Sequence, residues 1–200
     1  GRASFADKQV GTGKPVSVSG LTLAGAQAAN YALASTTAAV TATITPQTLV
    51  ANVTVSDKVY DGTTAATISG RSLSTGVVSG DDVQLSGGTA TFADKQVGPD
   101  KPVSVSGLTL TGAKAANYVL ASTTAATTAN ITPRTLVVSA TGIDKTYAGT
   151  TDATVTLSDD RVAGDTFSES YTVASFANRN AGPANAVSVS GIALTGDDAG

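Results

Sequence analysis

The sequence predicts an all-β fold, built as a tandem array of β-sandwich repeats, and three observations carry that prediction. First, Thr, Val, Ser and Gly dominate, and no segment sustains the i, i+3, i+4 apolar spacing of a helix. Second, short β-type runs alternate with Gly, Pro, Asp and Asn clusters. Third, the chain repeats itself: residues 3–49 align without a gap on 90–136, with 38 of 47 positions identical. A third, diverged copy follows at an offset of 87 residues, which becomes 84 after a three-residue deletion. That deletion lies between Thr64 and Gly80, and because insertions and deletions collect in surface loops, it predicts a loop near Arg71–Ser79.

A unit of about 87 residues is too long for a β-helix coil and suits a small autonomous β-domain. The expected boundaries are 1–46 for the C-terminal half of one repeat, 47–133 for a complete repeat and 134–200 for an incomplete third. The half-repeat 1–46 is expected to have an open core unless a neighbour completes it. Within the complete unit, strands are predicted at 48–55, 64–69, 83–86, 89–93, 102–110, 117–121 and 125–131. Seven strands match an immunoglobulin-like sandwich. An odd number also places the two ends at opposite poles, as a string of domains requires. "VSVSGLTL" at 103–110 contains two apolar pairs, Val103/Val105 and Leu108/Leu110, that are out of phase. Strand side chains alternate strictly, so a β-bulge at Ser106-Gly107, with Gly107 supplying the unusual angles, is expected to return both pairs to the core. Ala-rich "AKAAN" at 113–117 is bracketed too tightly by Gly112 and Asn117 to be a helix. Next comes an Ala-x-Tyr corner: Ala116 and Tyr118, with Ala29 and Tyr31 in the preceding copy. In sandwich domains such a tyrosine ties its hydroxyl to nearby backbone. The acid common at such corners is Gln27 or Lys114 here, and is present only as Asp198. Pro46 and Pro133, in "ITPQTLV" and "ITPRTLV", hold the joints between units short and stiff.

Composition narrows the function classes. Net charge is −3 with no basic run, which argues against nucleic acid as a partner. No apolar stretch approaches a membrane span. The sequence has no Cys, His, Met or Trp. Disulfides, thiolate metal sites and Cys- or His-based nucleophile–base pairs are thereby excluded. With no G-x-S-x-G motif either, and a near-identical repeat as a poor host for one unique site, the chain is expected not to be an enzyme.

"DKVYDGTT", "GDDVQL", "FADKQVG", "KPVSVSGLTL" and "AANYVLASTTA" in this order resemble the YDG-type repeats of large bacterial surface proteins, the filamentous-haemagglutinin-like adhesins. The resemblance covers essentially the whole chain. It implies tandem β-domains at the bacterial cell surface, outside the cell, in proteins of adhesion and aggregation. The third copy departs from the motif, with Ala148 where Asp61 stands. No catalytic residue follows from the resemblance.

Candidate chemistry is sparse. The acidic pairs Asp81-Asp82, Asp159-Asp160 and Asp197-Asp198 are the calcium candidates, weighed against solvated turns beside glycine. No other cofactor is expected. "DKVYDG" places Lys58 near Tyr60 and Asp61. An isopeptide crosslink by Lys58 is disfavoured because that lysine reads as exposed. Tyr60, and Tyr147 in the third copy, read as buried residues ahead of a turn. The phenylalanines stand in strand-like settings, "ATFAD" and "ASFAN", which favours core over a binding surface. The expected function is a structural segment of an adhesin stalk or fibre that projects, spaces and self-associates. The alternative is a module binding a glycan or receptor. Expected partners are adjacent repeats, identical chains pairing through Thr- and Val-rich edge strands, and a host or bacterial surface receptor.

Overall fold

Alternation of apolar and polar residues produces strands over about half of the chain. The computed structural model describes residues 1–74 and 76–196 and is all-β, with 51% strand, 3% helix and several sheets. Helix is confined, among the described residues, to single 3-10 turns at Ala28–Asn30 and Ala115–Asn117. None is long and apolar enough to cross a membrane. Two compact units are formed: residues 1–56, 65–93 and 101–129 make one, and 57–64, 94–100 and 130–200 the other.

In the first unit, β1 (Arg2–Phe5), β2 (Gly11–Ser19) and β3 (Ala38–Ile44) make an antiparallel sheet. β4 (Gln47–Leu49) and β5 (Ala51–Val55) follow; the short β6 (Lys58–Val59) belongs to the second unit. β7 (Ala65–Ala66), β8 (Ile68–Leu73) and β9 (Gln84–Phe92) come next, then β10 (Gly98–Thr111), β11 (Tyr118–Leu120) and β12 (Thr124–Thr132). β5 pairs antiparallel with β8, and β4 pairs parallel with β11. β9 lies between β10 and β7, with β12 on the far side of β10. The burial of β12, and of β9 from Gly87 onward, alternates with period two, the mark of strands with one face on a core. Leu49, Phe92, Val103, Val105 and Leu108 are 1–2% exposed and form that core. Against the predicted strands, the first run divides at Val50, the runs at 83–86 and 89–93 fuse into β9, and β8 continues through Leu73. The loop predicted from Arg71 therefore starts only after Leu73.

The kink at Gly107 takes a different form from the expected bulge. Val103, Val105 and Leu108 are all buried, so the change of phase is real. Yet β9 and β10 keep one register throughout, from Val103↔Phe92 to Thr111↔Gln84. No residue is inserted against β9. Both strands instead pass through left-handed glycine at the same level: Gly107 (φ 77°) on β10, Gly87 (φ 69°) and Gly88 (φ 93°) on β9. The counterparts Gly20 and Gly191 also have positive φ, 66° and 70°.

In the second unit, β13 (Val138–Ile143) pairs with β14 (Thr154–Asp159). β15 (Ser168–Ser170) pairs with β18 (Ala193–Thr195), and β16 (Val173–Phe176) with β17 (Val187–Ser190). Here the kink at Gly191 breaks one long hairpin into two short pairs. β6 adds parallel to Ile131 and Thr132 at the end of β12.

Candidate functional site

The chemistry of this chain gathers at a Gly-Asp turn that occurs twice. Asp81 N–H donates to the Val78 carbonyl at 3.0 Å, and Asp165 N–H donates to the Val162 carbonyl at 3.2 Å. Gly80 and Gly164 take the positive φ the turn requires, 87° and 97°. The two aspartates are equivalents, 84 residues apart. Asp81, its side chain only 7% exposed, accepts from Lys8 Nζ at 3.2 Å and from the Tyr118 hydroxyl at 2.8 Å. Asp165, 6% exposed, accepts from Lys95 Nζ at 2.9 Å and from the Tyr60 hydroxyl at 2.7 Å.

Lys8 and Lys95 are the same lysine of "FADKQVG", 87 residues apart. Each therefore pairs with the Gly-Asp turn of the following copy. The loop that carries the lysine is held identically in every copy, by an Asx turn: Asp7 to Gln9 N–H at 2.8 Å, Asp94 to Gln96 N–H at 2.8 Å, Asn178 to Asn180 N–H at 2.9 Å. Asn117 adds to the Lys8 contact, accepting from Val10 N–H at 3.0 Å and donating to the Gln9 side-chain oxygen at 2.8 Å. An exposed ion pair alone contributes little stability; these carboxylates are nearly covered and take a second bond from a tyrosine, which fixes orientation.

Electrostatics follow from this geometry. Lys95 first, and then the Tyr60 hydroxyl, hold Asp165 below the usual carboxylate range. The Tyr118 hydroxyl and then Lys8 do the same for Asp81. Tyr60 is pushed above the ordinary phenol value, because ionisation would forfeit its bond to Asp165. Asp61 is lowered to about 2, by Lys58 and then the Thr63 amide. A depressed carboxylate contributes stability that is present above its unfolded pKa, about 4, and is lost as pH falls through the folded value. The thermal midpoint is therefore expected to hold from about pH 5 upward and to fall between about pH 4 and 2, as pH-dependent calorimetry would show. A raised phenol has the opposite sign, so the Tyr60 contribution disappears as pH climbs above about 10.

Each calcium candidate among the described residues has a protein partner. Asp81 is held as above. Asp82 caps Ala113 N–H at 3.1 Å. Asp159 is gripped by the Arg161 guanidinium, and Asp160 by Arg134 at 2.9 Å and the Val137 amide at 2.8 Å. Among the described residues no group of three or more potential ligands is placed to hold a metal ion. Asp197 and Asp198, with the corner acid of the third copy, lie outside the described residues.

The tyrosines divide by copy. Tyr118 is 7% exposed, and its hydroxyl also accepts from Val78 N–H at 3.0 Å, a backbone group 40 residues away rather than one at the corner. Tyr31, its counterpart, is 73% exposed. Tyr60 is half-buried, whereas Tyr147 is 67% exposed, against the expectation of burial. Lys58 is not exposed as its polar neighbours suggest. Its side chain is 16% exposed, and its ammonium holds Asp61 at 2.7 Å and the Thr63 carbonyl at 2.6 Å. Lys145 holds Thr150 in the same way at 3.2 Å. Pro133 directly follows β12, and Pro46 separates β3 from β4.

The third copy carries one cluster that sequence reading missed. Phe167 lies in a loop rather than a strand, with the Arg161 guanidinium 3.8 Å above its ring. Arg161, Asp165, Phe167 and Thr195 line an open depression of about 440 Å³. Glu169, where the complete repeat has the buried Leu85, lies beside Asp159. It is raised first by that neighbour and then by burial, and its Oε1 is buried without a hydrogen-bond partner. Burying such an oxygen costs more than burying hydrocarbon. Glu169→Leu is therefore expected to raise the urea midpoint of the second unit, as hydrogen exchange at β15 and β18 would report. The signal was present in the sequence, as the chain's single Glu at a position that is Leu in the other copy.

A sequence profile of the YDG domain matches residues 1–38, 45–126 and 132–200. No curated protein and no solved structure matches the chain.

Proposed function

The chain belongs to the YDG domain family, and from that premise we propose that it is a structural repeat segment of an extracellular bacterial adhesin stalk or fibre. Its repeats are immunoglobulin-like sandwiches joined end to end, and it projects or spaces other parts of the assembly. The observation that carries this reading is the twice-repeated bond from the "FADKQVG" lysine to the Gly-Asp turn of the following copy. A contact repeated with the period of the sequence is what a one-dimensional array needs, since each repeat then depends only on its neighbours. Small-angle scattering on the chain and on versions lengthened by whole repeats tests it, with calcium and with chelator. A maximum dimension that grows by a constant step per repeat, unchanged by chelator, is the expected result. A compact particle whose dimension does not grow would overturn it.

A second reading, a glycan- or receptor-binding module, is favoured by the depression at Arg161 and Phe167 in the diverged copy. Loop aromatics beside arginine are common at binding surfaces. A glycan array probed with the chain and with Phe167→Ala separates the two: loss of a bound glycan in the variant supports the module, and no binding by either supports the stalk.

A further inference from the structure

We propose that Tyr147 and Arg179 form a docking surface for the Gly-Asp turn of a further YDG repeat, made by the same bonds that Tyr60 and Lys95 make to Asp165. The inference rests on the array reading and names the contact by which the array would be joined.

Tyr147 is the counterpart of Tyr60, 87 residues on, and Arg179 is the counterpart of Lys95, 84 residues on. The segments that flank them share three contacts with those of the filled joint. The segment after the tyrosine is clamped by the preceding lysine in both copies, Lys58 to Thr63 and Lys145 to Thr150. It then joins the strand leading to the basic residue in the same register: Ala65↔Thr91 in one copy, Asp152↔Ser175 in the other. The Asx turn that presents Lys95 is reproduced at Asn178–Asn180 around Arg179. The two copies thus carry the phenol and the cation on corresponding segments of the repeat.

What differs is occupancy. Tyr60 is half-buried and donates to Asp165. Tyr147 is 67% exposed, and neither its hydroxyl nor the exposed Arg179 has a partner among the described residues. An arginine in place of lysine keeps the charge and adds a two-pronged donor suited to a carboxylate. The occupant is accordingly an acidic turn of Asp165 type, in a repeat whose turn is not already filled as Asp81 and Asp165 are.

The test lengthens the chain in register. By the 84-residue offset Gly200 corresponds to Ala116, so residues 117–200 appended after Gly200, with Phe in place of the second copy of Tyr147 so that only the original one is read, continue the repeat and bring a second copy of the Asp165 turn. Tyrosine nitration is then mapped by mass spectrometry. In the 200-residue chain Tyr147 is expected to nitrate as fast as Tyr31, and Tyr60 several-fold more slowly. In the lengthened chain Tyr147 should slow several-fold, toward Tyr60. Replacing the appended aspartate by Ala, or making Arg179→Glu, should restore its rate while Tyr60 remains protected and reports intact folding. Tyr147 reacting equally fast in the lengthened chain, with the aspartate present and Tyr60 protected, overturns the proposal. Scattering from the same sample keeps the two readings apart. Growth by one full step with Tyr147 reactive leaves the array standing without this joint, whereas no growth removes the array.

Discussion

Phe92→Ala is expected to destabilise the first unit by about 3–5 kcal/mol, the range for deleting a fully buried phenylalanine, and Phe5→Ala by a small fraction of that. The two residues stand in the same heptapeptide, "FADKQVG", in successive copies. Each is on the strand before that loop and pairs with the equivalent valine: Phe92↔Val103, Phe5↔Val16. Phe92 is 2% exposed and Phe5 40%. Truncating Phe92 removes apolar area from the core and leaves a cavity, and both terms are unfavourable. At Phe5 much of that area already faces water, so little is lost. Urea unfolding followed by tyrosine fluorescence suits a chain without tryptophan, and hydrogen exchange at β9 and β10 localises the effect. Equal destabilisation by the two substitutions would show that the first copy is packed as well as the second.

Gly88→Ala is expected to cost about 2–5 kcal/mol from two causes. A left-handed backbone costs about 1–2 kcal/mol for a residue with a Cβ, and Gly88 has φ 93°. Overpacking a filled core adds about 1–3 kcal/mol: a Cβ there would stand 2.9 Å from Leu108 Cδ2, 3.2 Å from Ile68 Cδ1 and 3.3 Å from Val105 Cγ1. Gly80→Ala is the control. Its φ is also positive, 87°, but nothing lies within 4 Å of where the alanine methyl would stand, so only the backbone cost remains. If both variants lose the same stability, the opposed glycines of β9 and β10 are turn-formers only. If Gly88→Ala loses more, they are also what lets the two strands change phase without opening the core.

Much of the fold was legible because strand signals are local. The period-two alternation, the glycine at the phase change and the Asx-forming loop are written in neighbouring residues, and all three recur with the repeat. The form of the kink was not legible. A bulge in one strand and left-handed glycines in both explain the same apolar spacing, and only the unbroken register of β10 on β9, with Leu108 opposite Gly87, distinguishes them. The candidate site was hidden for a related reason. Lys8 is 73 residues from Asp81, and Lys95 is 70 from Asp165, so no local pattern links them. The Asp81-Asp82 pair read as a solvated turn, with calcium as the alternative, because the lysine that holds Asp81 lies one copy earlier.

By itself, then, the sequence determined the all-β character, the 87-residue period, the glycine positions and the membership of the YDG family. Burial was decided only in three dimensions. "AANYALASTTAA" and "AANYVLASTTAA" differ at one residue, yet Tyr31 is 73% exposed and Tyr118 7%. Local sequence sets the direction in which a side chain points along a strand, but the apolar surface it meets comes from residues distant in the chain: β4 pairs with Tyr118–Leu120 in the second copy of the phrase, and among the described residues no strand pairs with 31–33 in the first.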